Sequence, residues 1–274
     1  MARAVIIGAG FSGQYAALIL QNALKRVAGD HEVTVVNLYP KFTYIPSLVW
    51  VGIGQINVNK TQFELQPVYE RLGINFVQGR AKEVHPDEKF IVVETDYASV
   101  HVNYDYLIIA TGPYLNYEAT PGLGPENGYT HSICTPPHAV ETARAYRTLV
   151  ERLKEGDKAR IVIGTGHGRC TCQGAGFEFI SLMHNSLKDH GVRDRVGLTW
   201  LSNEPCPGDM GIDGFETQKG PVSFTSEDMV RALFQDYGIN IEVNSHVQKI
   251  DEKTIYTERV DGSFREIPYD FAML

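Results

Sequence analysis

The stretch Gly164-Thr-Gly-His-Gly-Arg-Cys-Thr-Cys-Gln-Gly-Ala-Gly176 is a glycine-rich loop. It follows the apolar run Arg160–Ile163 and leads into a segment that begins Phe177-Glu-Phe179. A strand, a glycine loop and a helix in that order commonly bind a pyrophosphate, because glycines let backbone N–H groups approach phosphate at a helix N-terminus. This loop also carries two thiols, Cys170 and Cys172. We therefore interpret it as a nucleotide-binding turn adapted to sulfur chemistry.

A second glycine motif lies at the N-terminus. The apolar strand Ala4–Ile7 is followed by Gly8-Ala-Gly10-Phe-Ser-Gly13 and by an apolar helical pattern over residues 14–27. This is the G-x-G-x-x-G fingerprint of dinucleotide binding in its required strand–turn–helix context. The next strand, His31–Val36, ends at Asn37, where an Asp or Glu commonly binds the nucleotide ribose. Asn can still hydrogen-bond a hydroxyl. We predict cofactor binding by Gly8, Gly10, Gly13 and Asn37; the alternative is a glycine loop that only makes a tight turn.

The segments that follow complete the predicted fold. Residues 41–54, rich in aromatic residues and glycine, are interpreted as a loop, either a packed connection or the wall of a pocket for a flat ligand. Strand-like runs at 75–77, 89–94 and 100–102 predict a small inserted sheet. Tyr104–Gly112 predicts a buried strand whose last residues, Thr111 and Gly112, we assign to the cofactor site. The fold class is α/β, with two Rossmann-like units of the FAD/NAD(P)-binding type, parallel sheets and small antiparallel insertions, over residues 1–115 and 116–274.

Composition excludes several classes of protein. The 274 residues are 43% hydrophobic, which suits two α/β domains. The formal charge of −8 and the absence of a basic run argue against a nucleic-acid partner. No apolar run reaches the roughly 18 residues that a spanning helix needs, which leaves peripheral membrane contact open. The 4 cysteines are too sparse for a disulfide scaffold and are better interpreted as reactive or buried.

Cys134 stands just before a predicted helix. In Ser132-Ile-Cys-Thr-Pro-Pro-His138, Thr135 is the predicted N-cap and residues 139–154 the helix. The helix dipole favours thiolate over thiol at such a position. The alternative is that Cys134 is a small buried hydrophobe and His138 a satisfied surface residue. Cys206, between two prolines, is interpreted as a bystander.

These residues together resemble the sulfide:quinone oxidoreductases, within the FAD-dependent pyridine-nucleotide disulfide oxidoreductase superfamily. The resemblance runs from Ala2 to Leu274 and rests most specifically on the Cys134 and Cys172 contexts. It implies FAD held by Gly8, Gly10 and Gly13, with Cys172, Cys134 and His138 as catalytic residues. It also implies that sulfide adds to a disulfide or polysulfide at Cys172, that sulfur leaves as persulfide, and that two electrons pass through the flavin to a quinone. The implied localisation is peripheral to a membrane, of prokaryotic type, through segments absent from this chain.

The chain departs from the family pattern in three ways. Cys170 is an extra thiol, Asp209 stands where the family often carries a histidine, and the family's third cysteine, last flavin-contacting strand and C-terminal helices would follow Leu274. We therefore expect the first unit to be incomplete, residues 269–274 to expose apolar surface, and the chain alone to be inactive. Two alternatives stay open: an NADH:quinone reductase, against which the thiols in the second glycine loop argue, and a non-catalytic flavin-binding module.

Overall fold

The computed structural model describes residues 2–166 and 173–274. Predictions for Cys170 and Cys172 therefore lie outside the described residues. The elements of the first part of the chain are β1 (Ala2–Ile7), α1 (Phe11–Leu24), β2 (His31–Asn37), β3 (Lys41–Thr43), α2 (Leu48–Gly52), β4 (Gln62–Glu64), α3 (Leu65–Leu72), β5 (Asn75–Gln78), β6 (Arg80–His85), β7 (Phe90–Glu94), β8 (Ser99–Asn103) and β9 (Tyr106–Ile109). Those of the second part are α4 (Pro136–Glu155), β10 (Ala159–Gly164), α5 (Gln173–Asp189), β11 (Val196–Leu201), β12 (Glu216–Lys219), β13 (Val222–Thr225), α6 (Ser226–Tyr237), β14 (Ile239–Glu242), β15 (Ser245–Ile250), β16 (Thr254–Arg259), β17 (Phe264–Pro268) and β18 (Phe271–Met273).

The first compact unit comprises the chain up to Tyr44 together with Asn59–Leu115. Its parallel sheet has the strand order β5-β2-β1-β9. Because successive side chains of a strand point to opposite faces, β1 contributes to two cores. Ile6 packs on the side of α1 and α3, whereas Val5 and Ile7 pack on the side of the antiparallel sheet β6-β7-β8. The sheet is thus covered on both faces, as a parallel sheet requires.

The second compact unit, Ile45–Val58 together with Asn116–Leu274, repeats this plan. Its parallel sheet has the order β14-β11-β10-β18. Ile161 and Ile163 of β10 pack with residues of α4, α5 and α6, and Val162 packs with the antiparallel sheet β15-β16-β17. The predicted α/β class, with Rossmann-like parallel sheets and small antiparallel insertions, is confirmed.

Three sequence-based expectations are wrong in detail. Residues 41–54 are not only loop, since β3 and α2 lie within them. Residues 75–77 do not belong to the inserted sheet; β5 is the edge strand of the parallel sheet, because Val35 and Val36 offer it a parallel partner. Residues 269–274 do not expose apolar surface, since β18 pairs with β10 and Phe271, Ala272 and Met273 are buried.

Exposed apolar surface lies instead along β9, an edge strand of the parallel sheet in the first unit. Tyr106 is 68% exposed and Ile109 is 65% exposed, and β9 pairs only with β1 among the described strands. No helix in the described ranges is both long enough and apolar enough to cross a membrane.

Candidate functional site

The N-terminal glycine turn is shaped by close backbone contacts. Gly8 has φ +103°, and a Cβ at this position would collide with the carbonyl oxygen of Ala110. A Cβ on Gly13 would collide with the carbonyl oxygen of Gly8. The turn is held to its neighbours by Gly8 N–H donating to Val36 O at 2.8 Å and by Ala110 N–H donating to Ile7 O at 2.8 Å. Gly8 and Gly13 are therefore needed by the fold of the turn itself.

Gly10 differs from these two glycines. It is the N-cap of α1 with φ −73°, which any residue adopts, and a Cβ built on it meets nothing within 4 Å. The helix has neither a side-chain cap nor an acidic residue in its first turn, so its first N–H groups are left to an outside acceptor. In addition, Nε2 of Gln14 is buried and has no hydrogen-bond partner in the described part of the chain. This arrangement fits an anionic ligand such as a pyrophosphate at the helix N-terminus.

Asn37 holds the glycine turn from the end of β2. Its Oδ1 accepts a hydrogen bond from Ala9 N–H at 2.9 Å, and its Nδ2 donates to Tyr39 O at 2.8 Å. One amide proton of Nδ2 is left for a ligand hydroxyl. An Asp or Glu here could accept from Ala9 but could not donate to Tyr39, so the Asn also fixes the chain after β2.

Thr111 and Gly112 follow β9 at the same carboxyl-terminal edge of the sheet as the glycine turn, since β1 and β9 are parallel. Both residues are exposed. Gly112 has φ +73°, a conformation that favours glycine. The structure thus brings Gly8, Gly10, Gly13, Asn37 and Thr111 to one edge of the first sheet, where ligands of open α/β sheets bind. Their contact with a cofactor stays a prediction.

In the second unit, Cys134 precedes the N-terminus of α4 as the sequence indicates. Thr135 is the N-cap, and its hydroxyl accepts from His138 N–H at 3.4 Å. Cys134 is exposed, and its N–H donates to Ser132 Oγ at 3.2 Å. The buried-hydrophobe alternative for Cys134 is therefore wrong. The positive end of a helix of 20 residues favours an anion at this place.

Tyr117 contacts Ser132, which binds the backbone N–H of Cys134, and it also contacts the His138 ring. Sequence reasoning missed this residue. Its hydroxyl donates to Ser132 Oγ at 2.7 Å, and its ring lies edge-on to the His138 ring with centroids 6.1 Å apart. Burial raises the pKa of Tyr117, the hydrogen bond to Ser132 lowers it, and the nearby charges of Cys134 and Glu126 raise it. Tyr117 begins a single 3-10 turn, Tyr117–Ala119, which is too short to show a periodic pattern, so no local signal in the sequence marks it.

The imidazole of His138 is largely enclosed. Its Nε2 lies 3.5 Å from Glu126 Oε1, and its Nδ1 is buried without a hydrogen-bond partner among the residues described. A buried ring nitrogen without a partner is costly to retain in a fold. His138 is therefore not the satisfied surface residue of the alternative interpretation.

Cys206 has the opposite electrostatic surroundings. Burial raises the pKa of its thiol, and the charge of Glu227, a hydrogen bond to Glu227 and the charge of Asp209 raise it further. A thiol that resists ionisation is a poor nucleophile. This supports the prediction that Cys206 is a bystander.

The second glycine motif repeats the close approach of the first. A Cβ on Gly164 would collide with Leu201 O, and one on Gly176 would lie 3.3 Å from the ring of Trp200. Gly164 lets the end of β10 pass close to the end of β11, and Gly176 lets α5 approach the sheet, as in dinucleotide-binding folds. Cys172 lies between them in the sequence but outside the described residues.

Comparisons with known proteins agree with this geometry. The chain is 29% identical over 269 residues to the sulfide-quinone reductase of Aquifex aeolicus (strain VF5), covering 98% of this chain and 57% of that protein. The crystal structure of the sulfide:quinone oxidoreductase from the same bacterium superposes with a TM-score of 0.86 at 28% identity, covering 100% of this chain and 58% of that one. The predicted resemblance to the sulfide:quinone oxidoreductases is confirmed. The chain spans little more than half the length of these relatives.

A likeness in fold alone extends further. NDH2 from Plasmodium falciparum, in complex with NADH, superposes with a TM-score of 0.73 at 18% identity, covering 99% of this chain and 54% of that one. The sequence profile described as pyridine nucleotide-disulphide oxidoreductase matches residues 2–167. Since that match runs from the first strand into the second glycine loop, over more than half of the chain, the protein belongs to the pyridine nucleotide-disulphide oxidoreductase family.

Proposed function

We propose that the chain is part of a flavoenzyme that oxidises sulfide and passes the electrons to a quinone. FAD is the cofactor of the family to which the chain belongs. The observation that carries the proposal is that an exposed thiol, Cys134, and a largely enclosed imidazole, His138, both lie at the start of α4. We also propose sulfide, a quinone and a membrane surface as partners. These stay proposals because the chain matches little more than half the length of its relatives.

The first unit has the groups to hold FAD. The N–H groups at the start of α1 would take the pyrophosphate, and the open space above Gly10 lets phosphate approach the backbone. Asn37 would donate its remaining amide proton to a ribose hydroxyl. Thr111 and Gly112 lie at the same sheet edge and would border the cofactor.

The second unit supplies the sulfur chemistry. Bound FAD would accept two electrons from a cysteine–sulfur centre and release them to quinone. For this, the chain must hold a thiolate and move a proton beside it. The start of α4 favours the thiolate of Cys134, and the unpartnered ring nitrogen of His138 can take the proton. Cys172, in the glycine loop, is proposed to carry sulfur that leaves as persulfide.

One observation argues against an NADH:quinone reductase. A nucleotide bound at the second glycine loop needs an acidic residue near the end of β11 for its ribose. The first acid after β11 is Glu204, which is buried, and burial and the charge of Asp209 raise its pKa. It is therefore not available to ribose hydroxyls in this arrangement.

Anaerobic reduction of the flavin in the complete native protein distinguishes the proposals. Sulfide should bleach the bound flavin, whereas NADH should not. Bleaching by NADH alone would establish the reductase instead, and bleaching by neither would support a non-catalytic flavin-binding module.

The role of Cys134 can be tested on the chain itself. Rates of alkylation by iodoacetamide, followed by peptide mass spectrometry at several pH values, should be much higher for Cys134 than for Cys206 near neutrality. Equal rates would contradict the electrostatic difference described above. His138→Gln should leave the alkylation of Cys206 unchanged, which makes Cys206 the internal control.

A further inference from the structure

Tyr117 is held in place although its neighbours in the chain are exposed. It begins the 3-10 turn before α4, in which Glu118 and Ala119 are exposed and Tyr117 is half-buried. A Cβ on Gly124 would lie 2.4 Å from Cγ of the Tyr117 ring, so the ring packs directly on the backbone of Gly124. Gly124 in turn is fixed by its N–H, which donates to the buried Oγ1 of Thr130 at 2.8 Å. The absence of a side chain at Gly124 therefore makes room for this ring.

The hydroxyl of Tyr117 is bound to a buried serine. It donates to Ser132 Oγ at 2.7 Å, and the N–H of Cys134 donates to the same oxygen at 3.2 Å. These two donors fill both acceptor positions of the Ser132 hydroxyl. Ser132 is 2% exposed, and its carbonyl oxygen accepts from Thr142 Oγ1 of α4 at 2.7 Å. The Tyr117 hydroxyl thus determines how the Ser132 side chain is oriented and, through it, where the backbone of Cys134 lies.

The position of Cys134 decides how strongly α4 favours its thiolate. The favourable interaction of an anion with a helix N-terminus falls off within the first turn. Cys134 directly precedes the N-cap Thr135. Because Cys134 is exposed, burial does not fix its place. The hydrogen bond from its N–H to Ser132 Oγ instead holds it beside the helix.

The remaining titratable groups at this end of α4 do not replace the Tyr117 hydroxyl. Glu126 faces His138, with Oε1 3.5 Å from Nε2, and the Tyr117 ring lies edge-on to the same imidazole with centroids 6.1 Å apart. Burial lowers the pKa of His131, and the charge of Glu141 raises it by less. Burial is the main cause that raises the pKa of Tyr117. Its hydroxyl therefore stays protonated, and so remains a donor, throughout the neutral range.

We propose that Tyr117 is a positioning residue for Cys134, a role that rests on the proposed function. Its hydroxyl acts through Ser132 to hold the backbone of Cys134 at the start of α4, and its ring restricts the imidazole of His138. Tyr117 exchanges no proton in this role. Loss of the hydroxyl frees Ser132 to rotate, which releases Cys134 from the helix N-terminus and lowers the fraction of its thiol that is ionised near neutrality.

Alkylation of Cys134 by iodoacetamide tests this role without any enzyme activity. The rates are measured on the complete native protein by peptide mass spectrometry across a range of pH. Tyr117→Phe keeps the ring and removes the hydroxyl. It should move the midpoint of the pH profile upward and slow the alkylation about two- to fivefold at neutral pH, which is the factor by which a helix N-terminus commonly favours an anion. The rate at alkaline pH, where the thiol is fully ionised, should stay the same.

Tyr146→Phe is the matched control, because it removes a bond of the same kind elsewhere in the second unit, from the Tyr146 hydroxyl to Ser186 Oγ at 2.9 Å. It should leave the profile of Cys134 unchanged. The alkylation rate of Cys206 in the same samples should keep its native value, which shows that each variant is folded. The proposal is overturned by a midpoint that does not rise in Tyr117→Phe, by a change of rate that is equal at every pH, or by an equal rise in Tyr146→Phe.

Ser132→Ala tests whether Tyr117 acts through Ser132. This variant removes the common acceptor, so it should raise the midpoint for Cys134 at least as far as Tyr117→Phe does. The double variant should raise it no further than Ser132→Ala alone, because a residue that acts through another adds nothing once that other is removed. Additive shifts would show that Tyr117 reaches Cys134 by another route and would overturn the proposal.

Sulfide-driven quinone reduction by the complete native protein connects this role to the proposed function. Tyr117→Phe should lower kcat at neutral pH by a similar factor, and the loss should disappear at alkaline pH, where the thiol is ionised without help from α4. A loss that is the same at every pH would overturn the role of Tyr117. If the unmodified protein oxidises no sulfide, the proposed function fails, and this outcome differs from an unchanged alkylation profile in an active enzyme, which refutes the role of Tyr117 alone.

Discussion

The difference between Gly10 and Gly13 permits a direct test of the cofactor site. A methyl group on Gly10 meets no protein atom within 4 Å. Replacing a Gly N-cap by Ala costs less than about 1 kcal/mol of folding free energy. The same methyl occupies the space through which a pyrophosphate would approach α1. Overpacking of a closed contact costs about 1–3 kcal/mol, so FAD binding to Gly10→Ala should weaken about 5–150-fold.

Gly13→Ala should behave differently. Its Cβ would collide with the carbonyl oxygen of Gly8, which is backbone and cannot move aside cheaply. We expect a loss of about 3 kcal/mol or more in the free energy of unfolding. Gly197→Ala is the matched control, because a Cβ at this strand position in the second unit meets nothing within 4 Å.

The measurements are the free energy of unfolding in urea and the Kd of FAD, the latter from quenching of flavin fluorescence with the apo form of the complete native protein. Gly10→Ala should fold normally and bind FAD weakly, and Gly197→Ala should match the unmodified protein in both. If Gly10→Ala binds FAD with unchanged Kd, the glycine turn is not the pyrophosphate site and the assignment of Gly8, Gly10 and Gly13 fails.

Other predictions concern the thiols, the chain on its own and two buried polar groups. In the complete native protein, Cys172→Ser should abolish sulfide-driven quinone reduction while Cys206→Ser leaves it nearly unchanged; equal activities would refute the assignment. Residues 1–274 alone, assayed with FAD, sulfide and a soluble quinone, should bind FAD weakly or not at all and show no turnover, and multiple turnovers would show that the thiols are wrongly assigned. Tyr146→Phe removes a buried hydroxyl that donates to Ser186 Oγ at 2.9 Å, so it should lower the free energy of unfolding by about 1–2 kcal/mol. The folded-state pKa of Glu204, about 7, lies above the ordinary value near 4.3, so its stabilising contribution is complete below about pH 4.3 and is lost as the pH rises through about 7. Glu204→Gln should flatten this fall, which is at most about 4 kcal/mol, in urea titrations across that range.

The sequence by itself determined the parallel sheets and their glycine turns. β1 and β10 are apolar runs, and each is followed by closely spaced glycines. This pattern predicts a buried parallel strand and a backbone that passes another backbone closely. These signals are local, because strand burial and the absence of a Cβ are properties of a few consecutive residues. The start of α4 was predictable for the same reason, since Thr135 and Pro136 are an N-cap and a first-turn residue.

Only the tertiary structure decided which polar side chains contact each other. Tyr117 and Ser132 are brought together by a loop. Glu204 and Asp209 are both buried because the loop after β11 folds into the protein interior. The placement of β18 was decided in the same way: the apolar end of the chain was expected to be exposed, but β10 had an open edge that it could pair with. Contacts between side chains and the pairing of strands depend on residues that are distant in sequence. The free energies of burial and hydrogen bonding that select them arise only once the chain is folded.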